Sequence, residues 1–186
     1  MKHPIERREA RGLKDHFALA VTTVFGVGYL PLAPGTFGSI VGVAVYFGLE
    51  YLLKWSFGVA SLGGVSETAS ATVNAAVAVC FLAYTLLGIW AAGRSTQLLG
   101  NNDPSEAVVD EVIGQLIAFL FVPFSSSWQM ILAGFLLFRL FDIWKPYPID
   151  YLQNLPAGIG VCADDILAGV YAGVCLAILY AIGFWI

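Results

Sequence analysis

Charge is scarce in this sequence. Only 12% of its 186 residues are Asp, Glu, Lys or Arg, about half the share of an ordinary soluble domain. A soluble fold of this length could not cover its surface with so few polar groups, so lipid is the expected solvent. Histidine is nearly absent, and His3 and His16 are too far apart in sequence to suggest a metal pair. The three cysteines, Cys80, Cys162 and Cys175, form no CxxC pair and sit in or beside apolar runs. They read as small buried or lipid-facing residues, which argues against a disulfide framework or a thiol centre. No basic stripe exists and the net charge is −4, so nucleic acid is not an expected partner.

What is abundant is apolar sequence, 59% of the chain. Five stretches are long enough to cross a bilayer as helices: 38–55, 73–93, 105–123, 127–144 and 166–186. A sixth, 16–30, runs into Pro31 and Pro34 within LPLAPGT, where helical hydrogen bonds fail. Irregular backbone at membrane depth survives only inside protein or beside a wet cavity. It therefore reads as a re-entrant half-helix, with full crossing as the alternative. The expected fold is an all-α integral membrane bundle of about five transmembrane helices plus this N-terminal half-helix. One domain spans 1–186, with 1–15 expected as a polar cytoplasmic tail, since no small-residue cleavage site follows the first apolar stretch.

Sidedness follows from the basic residues. With 16–30 not crossing, Lys2, Arg7, Arg8, Arg11, Lys14, Arg94, Arg139 and Lys145 all fall at the cytoplasmic face. Only Lys54 lies outside, one helical turn from Glu50. The same alternation brings Asp103, Glu106, Asp110, Glu111, Asp142, Asp150, Asp164 and Asp165 to that face. This convergence of acids is the functional signal.

Four constellations carry it. In Asp103-Pro104-Ser105-Glu106, Asp103 reads as an N-cap, Pro104 as the first helical residue and Glu106 as completing a capping box. Asp110 and Glu111 then lie about two turns inside that helix, where charge is costly unless paired or bound to a cation. In FRLFDIWKPYPI, Arg139, Asp142 and Lys145 recur every three residues and Pro146 and Pro148 stop the helix. A snorkelling helix end explains them; so does phosphate binding, Arg as a fork and Lys as a point charge. In GIGVCADDILAG one of Asp164 and Asp165 serves as N-cap, leaving adjacent carboxylates that suit a hard cation such as magnesium. In FGVGYLPLAPGTFGS, Gly35 and Gly38 permit close backbone approach and Thr36 can cap the next helix, leaving N–H groups for an anion. A packing loop with Gly38 and Gly42 as a small-xxx-small contact is the alternative.

Taken in order, GYLPLAPGTFGS, DPSEAVVDEVIG, FRLFDIWKPYPI and GIGVCADDILAGV resemble the bacterial phosphatidylglycerophosphatase A family. The resemblance runs from about Gly26 to Val170; the loop at 61–70 and the stretch between His16 and Gly26 depart from it. It implies a magnesium-dependent phosphatase of the bacterial cytoplasmic (inner) membrane, multi-pass, with its site facing the cytoplasm. The implied reaction converts phosphatidylglycerophosphate, a phospholipid, to phosphatidylglycerol and phosphate. Its motif positions imply Asp110, Glu111, Asp142, Asp164 and Asp165 as catalytic residues with Lys145, and Thr36, Arg139, Asp103 and Glu106 in support.

The expected mechanism is hydrolysis by metal-activated water. Asp110, Glu111, Asp164 and Asp165 hold Mg²⁺, Thr36, Arg139 and Lys145 bind the substrate phosphate, and a carboxylate free of metal, Asp142 for example, orients or deprotonates water; which acid is the base is not fixed by sequence. A transporter is the main rival, but it would place acids at mid-membrane and carry an inverted repeat. A phospholipid-synthesising phosphotransferase would need a glycine- and arginine-spaced acid motif that is missing. A non-catalytic subunit would not need charged pairs inside helices.

Overall fold

The computed structural model describes residues 7–57, 66–102, 104–123 and 127–183, and every regular element among them is helical. In chain order these are α1 (Leu13–Thr22), α2 (Pro34–Phe57), α3 (Glu67–Leu99), α4 (Val109–Phe119), α5 (Trp128–Trp144), α6 (Ile149–Leu152) and α7 (Ala157–Ala181), with a 3₁₀ turn at Val27–Tyr29. Helix α2 opens on Pro34, whose fixed φ and missing N–H suit a first helical position. Helix α3 is capped by Ser66, whose Oγ accepts from the Ala69 N–H at 3.3 Å, and ends on Gly100 at φ 73°. The caps, more than the apolar runs, set these boundaries.

Three helices, α2, α3 over 71–99 and α7, are long and apolar enough to cross a bilayer. Their outer faces are apolar, with Leu82, Leu86 and Ile178 more than half exposed. Such faces suit lipid and not water. Helix α4 has 11 residues, about 16 Å, short of a hydrocarbon core of about 30 Å. Nine of its residues are buried, Asp110 and Gln115 among them. That pattern belongs to a helix enclosed by others. Helices α7, α2, α5 and α3 surround it.

Helix α1, at 10 residues, is about 15 Å long and cannot cross alone. It lies along α3, where Thr22 and Ser95 share a buried hydroxyl–hydroxyl bond of 2.9 Å. Asp15, fully buried, accepts from the Arg11 N–H at 2.7 Å, Arg94 Nε at 2.6 Å and Arg8 at 2.9 Å. The Lys54–Glu50 pair forms as spaced, at 2.6 Å. All three cysteines are free: Cys80 exposed, Cys162 buried and Cys175 half-buried.

Two helix starts differ from the sequence reading in ways that move acidic residues. The helix expected from 105 starts at Val109, because the Val108 N–H is taken by the Thr22 carbonyl at 2.9 Å and the preceding chain turns to meet α1. Glu106 therefore precedes α4 instead of lying in its first turn, and Asp103 lies outside the described residues. The last helix begins at Ala157, nine residues before position 166. Asp164 and Asp165 are therefore two turns inside α7 and cap nothing. Thr36 likewise falls inside the first turn of α2 and does not cap it.

Candidate active site

The site is assembled where α4 begins. Asp110 and Glu111 occupy its first turn, and the Glu111 N–H donates to Asp110 Oδ1 at 3.2 Å. Unpaired N–H groups and the helix dipole favour negative charge at this position. Helix α7 supplies the third acid. It approaches α4 closely because a methyl group at Gly169 would overlap the Gly114 carbonyl. The contact brings Asp165 beside the α4 acids. Carboxylate oxygens of Asp110, Glu111 and Asp165 all lie within 4.8 Å of one another. Asp110 and Asp165 are buried and Glu111 half-buried.

Three ionised carboxylates at that spacing repel strongly out of water, unless protonated or bridged by a cation. The donor set is all oxygen, as hard divalent cations prefer. Oε2 of Glu111 is buried without a hydrogen-bond partner, so no donor in the protein offsets the charge of this carboxylate oxygen. The residues fit a divalent metal.

The basic groups stand beside the trio and pair with other acids. Arg139 on α5 forms an ion pair with Asp142, one turn further along. Asp142 in turn stands close enough to Asp165 and Glu111 for their charges to act on one another. Arg139 also approaches the Ser39 hydroxyl at 3.5 Å, too long for a strong bond, and its Nε is buried without a partner. A methyl group at Gly35 would overlap Oε1 of Glu111 and lie 3.2 Å from the same guanidinium. The start of α2 thus closes one wall. Lys145 ends α5 in the left-handed conformation, φ 45°, uncommon for a side-chain-bearing residue. Its ammonium donates to Asp164 Oδ2 at 2.6 Å. Burial works against the Lys145 charge, but the bond and attraction to Asp164 outweigh it and hold the pKa above the ordinary lysine value.

A trio of acids from two helices, flanked by Arg and Lys, can hold a cation and receive a phosphate. Comparison with known proteins gives it a family. The sequence profile of phosphatidylglycerophosphatase A matches residues 20–180. The chain belongs to the phosphatidylglycerophosphatase A family. The "Phosphatidylglycerophosphatase A" of Haemophilus influenzae is 39% identical over 162 residues, 87% of this chain and 85% of that one. Its Escherichia coli counterpart is 31% identical over 160 residues, 86% and 79%. A Bacteroides thetaiotaomicron protein named "Putative phosphatidylinositol-3-phosphatase" is 38% identical over 159 residues, 85% and 90%. No solved structure matches. As a phosphatidylglycerophosphatase A family member the chain is a phosphatase, a hydrolase of phospholipid metabolism.

Among the residues expected from sequence, the family fold brings Asp110, Glu111 and Asp165 together and sets Asp142 and Arg139 against them. Asp164 turns toward Lys145 and is not one of the trio. Thr36 stands beside Gly35 in the first turn of α2. The Glu106 carboxylate accepts from the Ser105 hydroxyl at 3.3 Å. Sequence reasoning passed over Ser39, fully buried next to Arg139. Its signal was present: it follows Thr36 by three residues, one turn on, in the segment read as an anion loop.

Proposed function

We propose that this protein is a Mg²⁺-dependent phosphatase converting phosphatidylglycerophosphate to phosphatidylglycerol and phosphate, at the cytoplasmic face of a bacterial inner membrane. The observation that carries the reading is the meeting of Asp110, Glu111 and Asp165 within 4.8 Å, from segments more than fifty residues apart. These three would hold the cation. When bound, it supplies Lewis-acid polarisation of the phosphate and lowers the pKa of the attacking water.

The remaining steps belong to the chain's own side chains. Arg139 offers its unused Nε–H to a phosphate oxygen, with Ser39, the Gly35 N–H and the Thr36 hydroxyl on the adjoining wall. Lys145, tethered by Asp164, neutralises a second oxygen. Asp142, steadied by Arg139 and close to Asp165, takes the proton from water.

The orientation belongs to the same proposal. We assign five crossings, carried by α2, α3, α4 with its flanking segments, α5 and α7, with α1 and the following turn as the re-entrant half-helix. The basic residues then gather on the cytoplasmic side. Exposed Trp144, Tyr147 and Tyr151 mark the interface at the acid end, and Trp55 and Trp128 the opposite one. Acyl chains stay in lipid while the headgroup reaches the acids.

Phosphate release by the purified protein, with Mg²⁺, from phosphatidylglycerophosphate, phosphatidylinositol 3-phosphate, phosphatidic acid and glycerol 3-phosphate tests the assignment. The proposal expects the first to be hydrolysed with the highest kcat/KM. Preference for the inositol lipid would replace the headgroup assignment, and turnover of glycerol 3-phosphate alone would remove the lipid from the account.

A further inference from the structure

Helix α4 carries another polar residue, deeper in the bundle than its acids. Gln115 is fully buried, and neither its amide nitrogen nor its amide oxygen has a hydrogen-bond partner. An unpaired amide in an apolar interior is costly, and lipid offers it nothing. Gln115 follows Glu111 by four residues, so the two share one face of the helix a turn apart. Helical side chains lean back toward the N-terminus, and that lean carries the Gln115 amide toward Glu111. The Oε2 of Glu111 is likewise buried and without a partner.

Both residues lie on the side of α4 covered by α2. A methyl group at Gly38 would sit 3.2 Å from Glu111 Cβ, and one at Gly42 would sit 2.9 Å from Gln115 Cβ. At both contact points α2 presents glycine, which has no polar side chain to give. An orphaned amide and an orphaned carboxylate oxygen thus lie one helical turn apart on the same wall of α4.

We propose that Gln115 is a positioning residue for Glu111. Its Nε2–H donates to one buried water, which donates to Glu111 Oε2 and leaves Oε1 to face Asp110, Asp165 and a cation. This rests on the metal reading above and adds to it a residue outside the acids. Outer partners of this kind typically change metal affinity by about 10- to 100-fold.

The test is Mn²⁺ binding, followed as free Mn²⁺ by electron paramagnetic resonance, alongside melting of the metal-free protein. The parent is compared with Gln115→Met, which keeps the length and removes the amide. The expected result is an affinity about 10-fold or more weaker with metal-free melting little changed, since methionine fills nearly the same volume in the apolar interior. Affinity within twofold of the parent would overturn the proposal while leaving the metal site standing. A weaker affinity with a matching loss of metal-free stability would assign Gln115 to packing and overturn it too. A parent that takes up no Mn²⁺ would sink the metal reading and this inference together. If Gln115→Met does not fold, Gln115→Leu is judged by the same two readings, and failure of both to fold overturns the positioning role.

Discussion

Acids are the residues an apolar chain can least conceal. Asp110, Glu111 and Asp165 were legible because a carboxylate inside a membrane helix demands a partner, and the fold supplies each of them with the others. Gly35 reads in the sequence as permitting close approach, and Glu111 and Arg139 are what it admits. Ser39 and Gln115 were not legible in this way, since serine and glutamine are ordinary in helices and only burial beside Arg139 and Glu111 gives them a purpose. Gly35 makes the sharpest residue-scale prediction. In Gly35→Ala the new methyl would overlap Glu111 Oε1, the free end of a flexible side chain, and crowd Arg139. The carboxylate can swing aside without unfolding α2, so thermal stability should hold while kcat/KM falls about 10²-fold, the cost of an ångström-scale misplacement. Parental activity in Gly35→Ala would show that Glu111 is not held where the chemistry needs it.

The helices themselves show why boundaries were harder to read than existence. The apolar runs announced α2, α3, α5 and α7, yet α4 and α7 begin where tertiary contacts decide: the Thr22 carbonyl captures the Val108 N–H, and glycine packing lets α7 start at Ala157. The consequence is chemical, since Asp164 and Asp165 become interior residues of a helix instead of its cap. Helix α1 was read as a half-helix from its proline-rich end, but its anchor went unseen. Asp15 is held below the ordinary carboxylate value of 3.8, first by the Arg11 N–H, against burial, and then by Arg94 and Arg8. A lowered carboxylate contributes stability that is complete above its unfolded value and disappears as pH falls through the folded one. Asp15→Asn should therefore melt below the parent at pH 7, and the gap should close as pH falls below about 4. A gap of constant size across that range would deny the charged latch.

At the scale of the whole molecule, the design is a separation of solvents. Apolar side chains face outward along α2, α3 and α7, and the acids and their basic partners gather around the start of α4 and the end of α5. A lipid phosphate can meet such a site without its chains leaving the bilayer, which is what a phosphatase of this family requires. The whole arrangement is stable in the active form only if something positive joins three clustered carboxylates. Phosphate release from phosphatidylglycerophosphate by protein stripped of divalent cations with EDTA, then given back Mg²⁺, tests this most directly. The account predicts loss of turnover on stripping and its return on addition, with Asp110→Asn and Asp165→Asn at least about 10²-fold below the parent even when Mg²⁺ is restored. Undiminished turnover by metal-free protein, verified by elemental analysis, would contradict it.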